Sequence, residues 1–467
     1  MKLKFCGAAG TVTGSCHYIE LDNGFKMILD CGMYQGNYED YANFNTTWYF
    51  NPSEIDCLIL SHAHIDHCGR IPRLVKDGFN GDIISTTATR DLCAIMLVDS
   101  AKIQEYDAEK SNERRKKRGD NLVEPLYTID DAILCMQQFY GIPYRKWFKY
   151  NEYIEILMND AGHILGSANI TLKITENGKV TYLGFSGDIG RPNRPILKDP
   201  ESMPTLDYLI MESTYGGEVH PSKSNEEYKF IEIISDCCLK KKGKLLIPAF
   251  SVGRTQELIY MLNKLSNENK IPKINVYIDS PLSVNATQIF EMHRECFDNE
   301  IMQLMQNDET PFNFNGLKYI REAAQSKKLN DSKEPCIIIS ASGMAQAGRI
   351  KHHIANNIEK QNTTILFVGY CSTDTLGHTL KQKPNTVTIF GKTLKVNATI
   401  ESLESLSAHA DELEMLQFIS NQSKSKLKKI FLVHGEPERQ NKFSPALSPF
   451  SNEIILPKLS EIFHLKE

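Results

Sequence analysis

The stretch Ser61-His62-Ala63-His64-Ile65-Asp66-His67 places three imidazoles and a carboxylate within six residues. Neutral imidazole and carboxylate oxygen suit zinc and other divalent first-row metals. One metal takes only three or four protein ligands, so a cluster this dense, with further candidates downstream, predicts two metals side by side. The apolar run Cys57-Leu58-Ile59-Leu60 precedes it and reads as a buried strand. The cluster is therefore expected on the loop leaving a strand's C-terminal end, where α/β sheets place their chemistry.

At 467 residues the chain is long enough for two or three domains. A hydrophobic content of 41% and a charged content of 24% are those of a soluble globular protein. No apolar run approaches the roughly 18 residues of a membrane span. The start, Met1-Lys2-Leu3-Lys4-Phe5-Cys6, has no apolar stretch of the signal-peptide kind, so the expected compartment is the cytoplasm, with no membrane partner. The 12 cysteines form no CxxC pair and are expected to be reduced thiols. The net charge of -5 makes no global electrostatic case for nucleic acid. Two local basic runs stand out, Arg114-Arg115-Lys116-Lys117-Arg118 and Lys240-Lys241-Lys242. Each reads either as a solvated surface or as a patch for a polyanion.

Residues 1–210 read as many short strands with few helices, including Lys2–Cys6, His17–Leu21, Lys26–Asp30, Asp82–Thr86, Ile170–Ile174 and Val180–Phe185. A helix is expected from Asp91 to about Asp107, an exposed loop over Ser111–Asn121, and a second helix over Thr128–Tyr140 with Thr128 as N-cap. From Met211 strand and helix alternate: Lys244–Pro248, then Arg254–Leu265; Ile274–Asp279, then a helix from Val284; Pro335–Ser340, then Arg349–Ile358; and Thr364–Tyr370. That rhythm predicts a mostly parallel sheet. Short strands return at Lys395–Ile400 and Lys429–Val433. The expected organisation is a first domain in two parts, 1–210 and 393–467, interrupted by an inserted α/β domain over 211–392.

Three more metal candidates lie beside glycines: His163 in Asp160-Ala161-Gly162-His163, Asp188 in Ser186-Gly187-Asp188, and His434 in Val433-His434-Gly435. Glycine permits close backbone approach at such points. The pair His352-His353 has no spaced carboxylate or cysteine partner and reads as hydrated helix surface.

His-x-His-x-Asp-His followed by His163 and Asp188 resembles the metallo-β-lactamase superfamily, and within it the β-CASP nucleases, which include RNA-processing ribonucleases and the endonuclease subunit of the pre-mRNA 3′-end cleavage factor. The similarity spans nearly the whole chain. It is carried by Gly7–Ser15, Leu29-Asp30-Cys31-Gly32, Met211–Gly216, Pro248–Glu257, Asp279-Ser280-Pro281-Leu282, Ser340–Met344, Ser407–Asp411 and Val433–Glu436. The resemblance implies an αββα metallo-β-lactamase sandwich with an inserted β-CASP domain, and two Zn2+ ions. His62, His64 and His163 would hold one ion, Asp66, His67 and His434 the other, and Asp188 would bridge them. Asp30 would orient the ligand loop by hydrogen bonds.

The implied reaction is hydrolysis of an RNA phosphodiester to 5′-phosphate and 3′-hydroxyl ends. His409 is suited to protonate the leaving sugar oxygen, because an imidazole titrates near neutrality, and Glu212 to orient it. Ser342 and Gly343 at a strand end, Thr375, and the cations of Arg254 and Arg349 are candidate phosphate contacts in the inserted domain. Within the family, histidine at the position of His434 goes with RNA and valine with the DNA-repair branch. The expected substrate is single-stranded RNA, cut endonucleolytically, with 5′-to-3′ exonuclease action also open; a homodimer is left open too. The loop Tyr370–Thr375 varies a stretch where many relatives carry other polar residues. The rival readings are a non-catalytic RNA-binding scaffold and a different hydrolase on the same core, acting on DNA or on a thioester, lactone or small phosphodiester. Filled ligand positions argue against the first, the insertion with its Glu212/His409 pair against a small substrate, and His434 against DNA.

Overall fold

A computed structural model describes residues 1–36, 43–220, 226–306, 310–369, 371, 375–403 and 407–465. The chain forms two compact units, Met1–Val219 with His409–Glu467, and His220–Ala408.

The first unit is an αββα sandwich of two seven-stranded mixed sheets. One sheet contains β1 (Lys2–Phe5), β2 (His17–Glu20), β3 (Lys26–Leu29), β4 (Cys57–Ile59), β5 (Asp82–Thr86) and β6 (Phe139–Ile142). The other contains β7 (Phe148–Lys149), β8 (Ile154–Asp160), β9 (Ala168–Glu176), β10 (Lys179–Phe185) and β11 (Tyr208–Glu212). Alternation on β8 and β9 turns Ile154, Ile156, Met158, Ile170, Leu172 and Ile174 inward against Phe5, Ile19, Met27 and Ile59 of the facing sheet, closing one apolar core. Helices α1 (Ile65–Cys68), α2 (Ile71–Lys76), α3 (Thr87–Arg118) and α4 (Ile129–Cys135) follow β4 and β5.

The second unit carries a six-stranded sheet whose pairings are all parallel. Its strands are β12 (Lys244–Pro248), β13 (Asn275–Ile278), β14 (Leu317–Tyr319), β15 (Cys336–Ser340), β16 (Thr364–Phe367) and, beyond the hairpin β17 (Thr386–Ile389) and β18 (Lys392–Lys395), β19 (Thr399–Ser402). The chain then returns to the first unit with β20 (Lys429–Val433), β21 (Glu453–Ile455) and β22 (Ile462–His464), which add to the edges of both sandwich sheets.

Several local expectations change. The loop expected over Ser111–Asn121 is instead the end of α3, which runs to Arg118 and stops at Gly119 with a left-handed φ of 74°. From Glu113 to Arg118 its residues are strong helix formers, and charge by itself does not break a helix. The expected strand Lys395–Ile400 is split: β18 ends at Lys395, and β19 pairs with β16, so the second unit runs past 392 to Ala408. The helix expected over Thr128–Tyr140 ends at Cys135, and Phe139–Ile142 becomes an edge strand; its Thr128/Asp131 capping box is present. All 12 cysteines are buried and free. Among the described residues no helix is long and apolar enough to cross a membrane.

Candidate metal centre

Six strands of the first unit deliver the site, each at its C-terminal end. Asp30 follows β3, the histidine cluster follows β4, His163 lies three residues beyond β8, Asp188 three beyond β10, Glu212 ends β11 and His434 follows β20. Parallel pairing of β3 with β4, and of β10 with β11 and β11 with β20, sets these ends in register. The loops close tightly: a Cβ on Gly32 would lie 1.7 Å from the Asp66 carbonyl oxygen, and one on Gly190 1.9 Å from that of Gly162. Asp30 and His434 hold left-handed backbone, with φ of 59° and 49°. Non-glycine residues adopt that conformation at a cost, and it recurs at functional sites.

The side chains converge as two sets. His62 Nε2 lies 3.1 Å from His64 Nδ1, which lies 3.1 Å from His163 Nε2. Asp188 Oδ2 is 3.5 Å from both His62 Nε2 and His163 Nε2. In the second set His67 Nε2 is 3.3 Å from His434 Nε2, which is 3.4 Å from Asp66 Oδ2. Asp188 Oδ1 is 3.3 Å from His67 Nε2 and 3.5 Å from His434 Nδ1. The donor atoms within His62, His64, His163 and Asp188 all lie within 4.8 Å of one another, as do those of Asp66, His67 and His434.

These donor sets fit a metal. Three imidazole nitrogens converging on one point cannot all be satisfied by shared protons. A tetrahedron with zinc–nitrogen bonds of ~2.0–2.1 Å has edges of about 3.3 Å, close to the spacings found here. Electrostatics agree. Burial pushes His62 and His163 well below the usual imidazole range and His64 down to about 4, leaving neutral ligands. At His67 burial opposes charge, yet the Asp188, Asp30 and Asp66 carboxylates outweigh it and hold its pKa well above the usual range. A divalent cation bound between these groups would displace that proton.

Asp30 carries the supporting bonds. Its Oδ1 accepts from Ser61 N at 2.8 Å, and its Oδ2 accepts from the hydroxyls of Ser15 and Ser61, each at 3.0 Å, and lies 2.7 Å from His67 Nδ1. His67 Nε2 is thereby turned toward the metal position. On the opposite wall Glu212 Oε1 accepts from Ile189 N, while Oε2 accepts from the Thr214 hydroxyl at 2.6 Å and lies 3.2 Å from His409 Nδ1. His409 sits 4.5 Å from His163, ring centre to ring centre. Burial opposes a charge on His409, but Glu212 and then Asp188 and Asp66 raise its pKa to about 9.

Thr214 and Ser61 had no role assigned from sequence. Thr214 also contacts both His434 Nδ1, at 3.1 Å, and the His434 carbonyl, at 3.0 Å, so one hydroxyl links the Glu212–His409 pair to a metal-facing histidine. Their presence inside Met211–Gly216 and Ser61–His67 was the available signal. His17 was also missed: it is fully buried between Phe5 and Phe185, neither ring nitrogen has a hydrogen-bond partner among the described residues, and burial lowers its pKa to about 3.

The candidate contacts of the second unit are engaged within it. Arg254 pairs with Glu257 at 2.5 Å. Arg349 pairs with Asp279 at 2.7 Å and donates to the Arg321 carbonyl at 2.6 Å. The Thr375 hydroxyl accepts from His378 N as a helix N-cap, and the Ser342 hydroxyl accepts weakly from Ala347 N at 3.4 Å. Gly343 lies against Phe250, 3.0 Å from where a Cβ would stand. His353 corrects the surface reading of His352-His353: it is fully buried, with Nε2 2.6 Å from Asp279 Oδ2 and Nδ1 2.9 Å from Asn330 Oδ1. Its carboxylate partner comes from the end of β13, far away in sequence. Tyr370 and Ser372–Asp374 of the variant loop lie outside the described residues.

Three family models match in chain order: the metallo-beta-lactamase superfamily over residues 9–127, the Beta-Casp domain over 255–380, and the Zn-dependent metallo-hydrolase RNA specificity domain over 393–457. A ribonuclease of Thermus thermophilus is 30% identical over 461 residues, covering 99% of both chains. This chain belongs to the β-CASP ribonuclease family of the metallo-β-lactamase superfamily. As a β-CASP protein it is an enzyme of the zinc-dependent metallo-hydrolase class. It is also similar to the transcription termination factor FttA of Methanocaldococcus jannaschii, at 31% identity over 94% of this chain and 67% of that one. An RNase J-like protein of the same organism is 29% identical over 93% and 92%.

Proposed function

We propose that this β-CASP protein hydrolyses single-stranded RNA at a two-zinc centre, leaving 5′-phosphate and 3′-hydroxyl ends, chiefly by internal cleavage and additionally by 5′-to-3′ trimming. One observation carries the two-metal reading: Asp188 turns Oδ2 to His62 and His163 and Oδ1 to His67 and His434. His62, His64 and His163 would hold one ion and Asp66, His67 and His434 the other, with Asp188 offering one oxygen to each set. When bound, the pair supplies Lewis acidity at the phosphate and a hydroxide nucleophile at neutral pH.

The protein's own groups do the rest. Asp30 keeps the proton on His67 Nδ1, so Nε2 would be the atom that ligates a metal. Glu212 holds His409 by Nδ1, so the proton for the leaving sugar oxygen comes from Nε2. Burial of Glu212 beneath Thr214 and Ile189 N keeps the pair in one orientation. RNA as substrate is supported by the match to an RNA specificity domain and by the ribonuclease relative. Ser342 and Gly343, at the end of β15, are the proposed contacts to the RNA backbone in the second unit.

End-labelled RNA and DNA of one sequence, incubated with wild type and Asp66→Ala, test this directly. Cleavage of RNA by wild type alone, with 5′-phosphate ends, is expected. Equal cutting of DNA, or binding without cutting by zinc-loaded protein, would overturn it.

A further inference from the structure

Helix α3 continues far beyond its own core contacts. Its last buried residue is Ala101, yet it runs to Arg118, so about 25 Å of helix follows with no buried side chain. Seventeen residues of unsupported helix are marginal in water, and here the returning chain braces one face. Asn112 bonds both the N–H and the carbonyl of Val123, at 2.9 and 2.8 Å, Gln104 accepts from Leu126 N at 3.1 Å, and Glu105 from Ile129 N at 3.0 Å. Arg115 donates to the Asn121 carbonyl at 2.9 Å.

The braced face and the free face are opposite. At 100° per residue, Ile103, Tyr106, Lys110, Arg114 and Lys117 fall within an arc of about 80°, away from Gln104, Asn112 and Arg115. Ile103 and Tyr106 are 56% and 59% exposed, which leaves an aromatic ring and an aliphatic side chain in water. Farther along the same face come Lys110, Arg114 and Lys117, with Arg118 at its edge and Lys116 turned toward the braced side. Lys110 lies 5.7 Å from the Tyr106 ring and pairs with Glu113, but Arg114, Lys116, Lys117 and Arg118 make no ion pair among the described residues. The other basic run differs: Lys240 and Lys241 share Asp236. Glu113 is the acidic neighbour that Lys110, Arg114 and Lys117 share. A cationic tip with this one carboxylate among several cations, near an exposed aromatic ring, matches a surface for single-stranded nucleic acid, with phosphates on the cations and a base on the ring.

The arm is rooted at the metal centre. The hydroxyls of Thr86 and Thr89, at the start of α3, both donate to the Gly166 carbonyl, at 2.6 and 2.8 Å, three residues beyond His163. We propose that α3 is an auxiliary RNA-binding arm, with Tyr106, Lys110, Arg114, Lys117 and Arg118 contacting the strand at a distance from the scissile phosphate. From Thr89 to Arg114 the helix rises about 38 Å. At ~3.4 Å per stacked nucleotide that corresponds to about eleven nucleotides, so the arm acts on long RNA and not on short oligomers. This role rests on the RNA-cleaving function proposed above.

The test is fluorescence anisotropy of labelled 30-nucleotide and 6-nucleotide single-stranded RNA, at several salt concentrations, on ice, with full-length wild type, the quadruple variant R114Q/K116Q/K117Q/R118Q, and Tyr106→Ala. The quadruple variant should bind the 30-mer at least tenfold more weakly. Its slope of log affinity against log salt should be shallower by about 2, because three of the four cations removed are strand contacts and each phosphate neutralised on a single strand accounts for roughly 0.7 of that slope. Tyr106→Ala should weaken the 30-mer several-fold with an unchanged slope. Unchanged 30-mer affinity and slope would overturn the arm, including the case where these residues serve a protein partner, and so would an equal loss on the 6-mer. Should the quadruple variant misfold, K117E alone decides by the same salt slope. Wild type that binds through the arm but does not cut RNA would defeat the cleavage function and leave the arm standing.

Discussion

Glu212 Oε2 lies 3.2 Å from His409 Nδ1, and these two residues are 197 positions apart. The contact exists because β11 ends at Glu212 while the chain re-enters the first unit at His409, where an isolated bridge to Gly190 fixes its backbone. A carboxylate holding one ring nitrogen orients the other and favours the imidazolium.

If His409 is the acid, its loss should matter only when the leaving oxygen needs a proton. His409→Ala should cut RNA ~100-fold or more slowly, within the usual range for general acid catalysis. With bis(p-nitrophenyl) phosphate, whose leaving group needs no acid, it should stay near wild type at unchanged zinc content. Equal losses on both substrates would remove His409 from that role.

Metal content should follow the two donor sets. Zinc-reconstituted wild type should hold about two ions per chain by elemental analysis, His434→Ala about one, and a strong chelator should abolish cleavage until zinc is restored. Less than one ion in wild type would end the two-metal assignment.

Asp30→Asn keeps an acceptor for Ser61 N but puts an amide N–H2 where Oδ2 now meets Ser15, Ser61 and His67 Nδ1. Zinc affinity should fall on the order of 10–100-fold, as when a ligand-orienting carboxylate is lost. Competition with a chromophoric chelator measures it.

Asp160 supplies a pH signature in stability. Burial raises its pKa from 3.8 to about 7, while its Oδ1 accepts from Gly162 N at 2.9 Å. Below pH 3.8 the carboxyl is protonated whether folded or unfolded, and no penalty arises. Between 3.8 and about 7 the folded state binds the extra proton, so stability falls as pH rises, and above about 7 the full penalty is present. Asp160→Asn keeps the acceptor and removes the charge. Its stability relative to wild type should rise by on the order of 2–3 kcal/mol between pH 5 and 7.5 in urea unfolding.

The strand ends were readable because apolar runs bounded by glycine and polar ligand residues signal them locally, as at Cys57–Leu60 before His62 and Lys429–Val433 before His434. The errors fell where non-local packing decides. The end of α3 reads as a loop from its charge, but the chain at 119–129 braces it. His353 reads as surface until β13 brings Asp279 beneath it.

The sequence by itself determined which residue types could bind metal, and that they sit at strand ends, since both are properties of short segments. Their division into two sets was an expectation from the family resemblance; only the tertiary structure supplies the spacings between them. Asp188 faces both histidine sets, Thr214 joins Glu212 to His434, and Glu212 meets His409, because parallel pairing of β10, β11 and β20 aligns ends that are far apart in sequence, more than two hundred residues for β11 and β20. Side-chain chemistry is local, whereas the 3–4 Å spacings that turn it into a site are set by strand register.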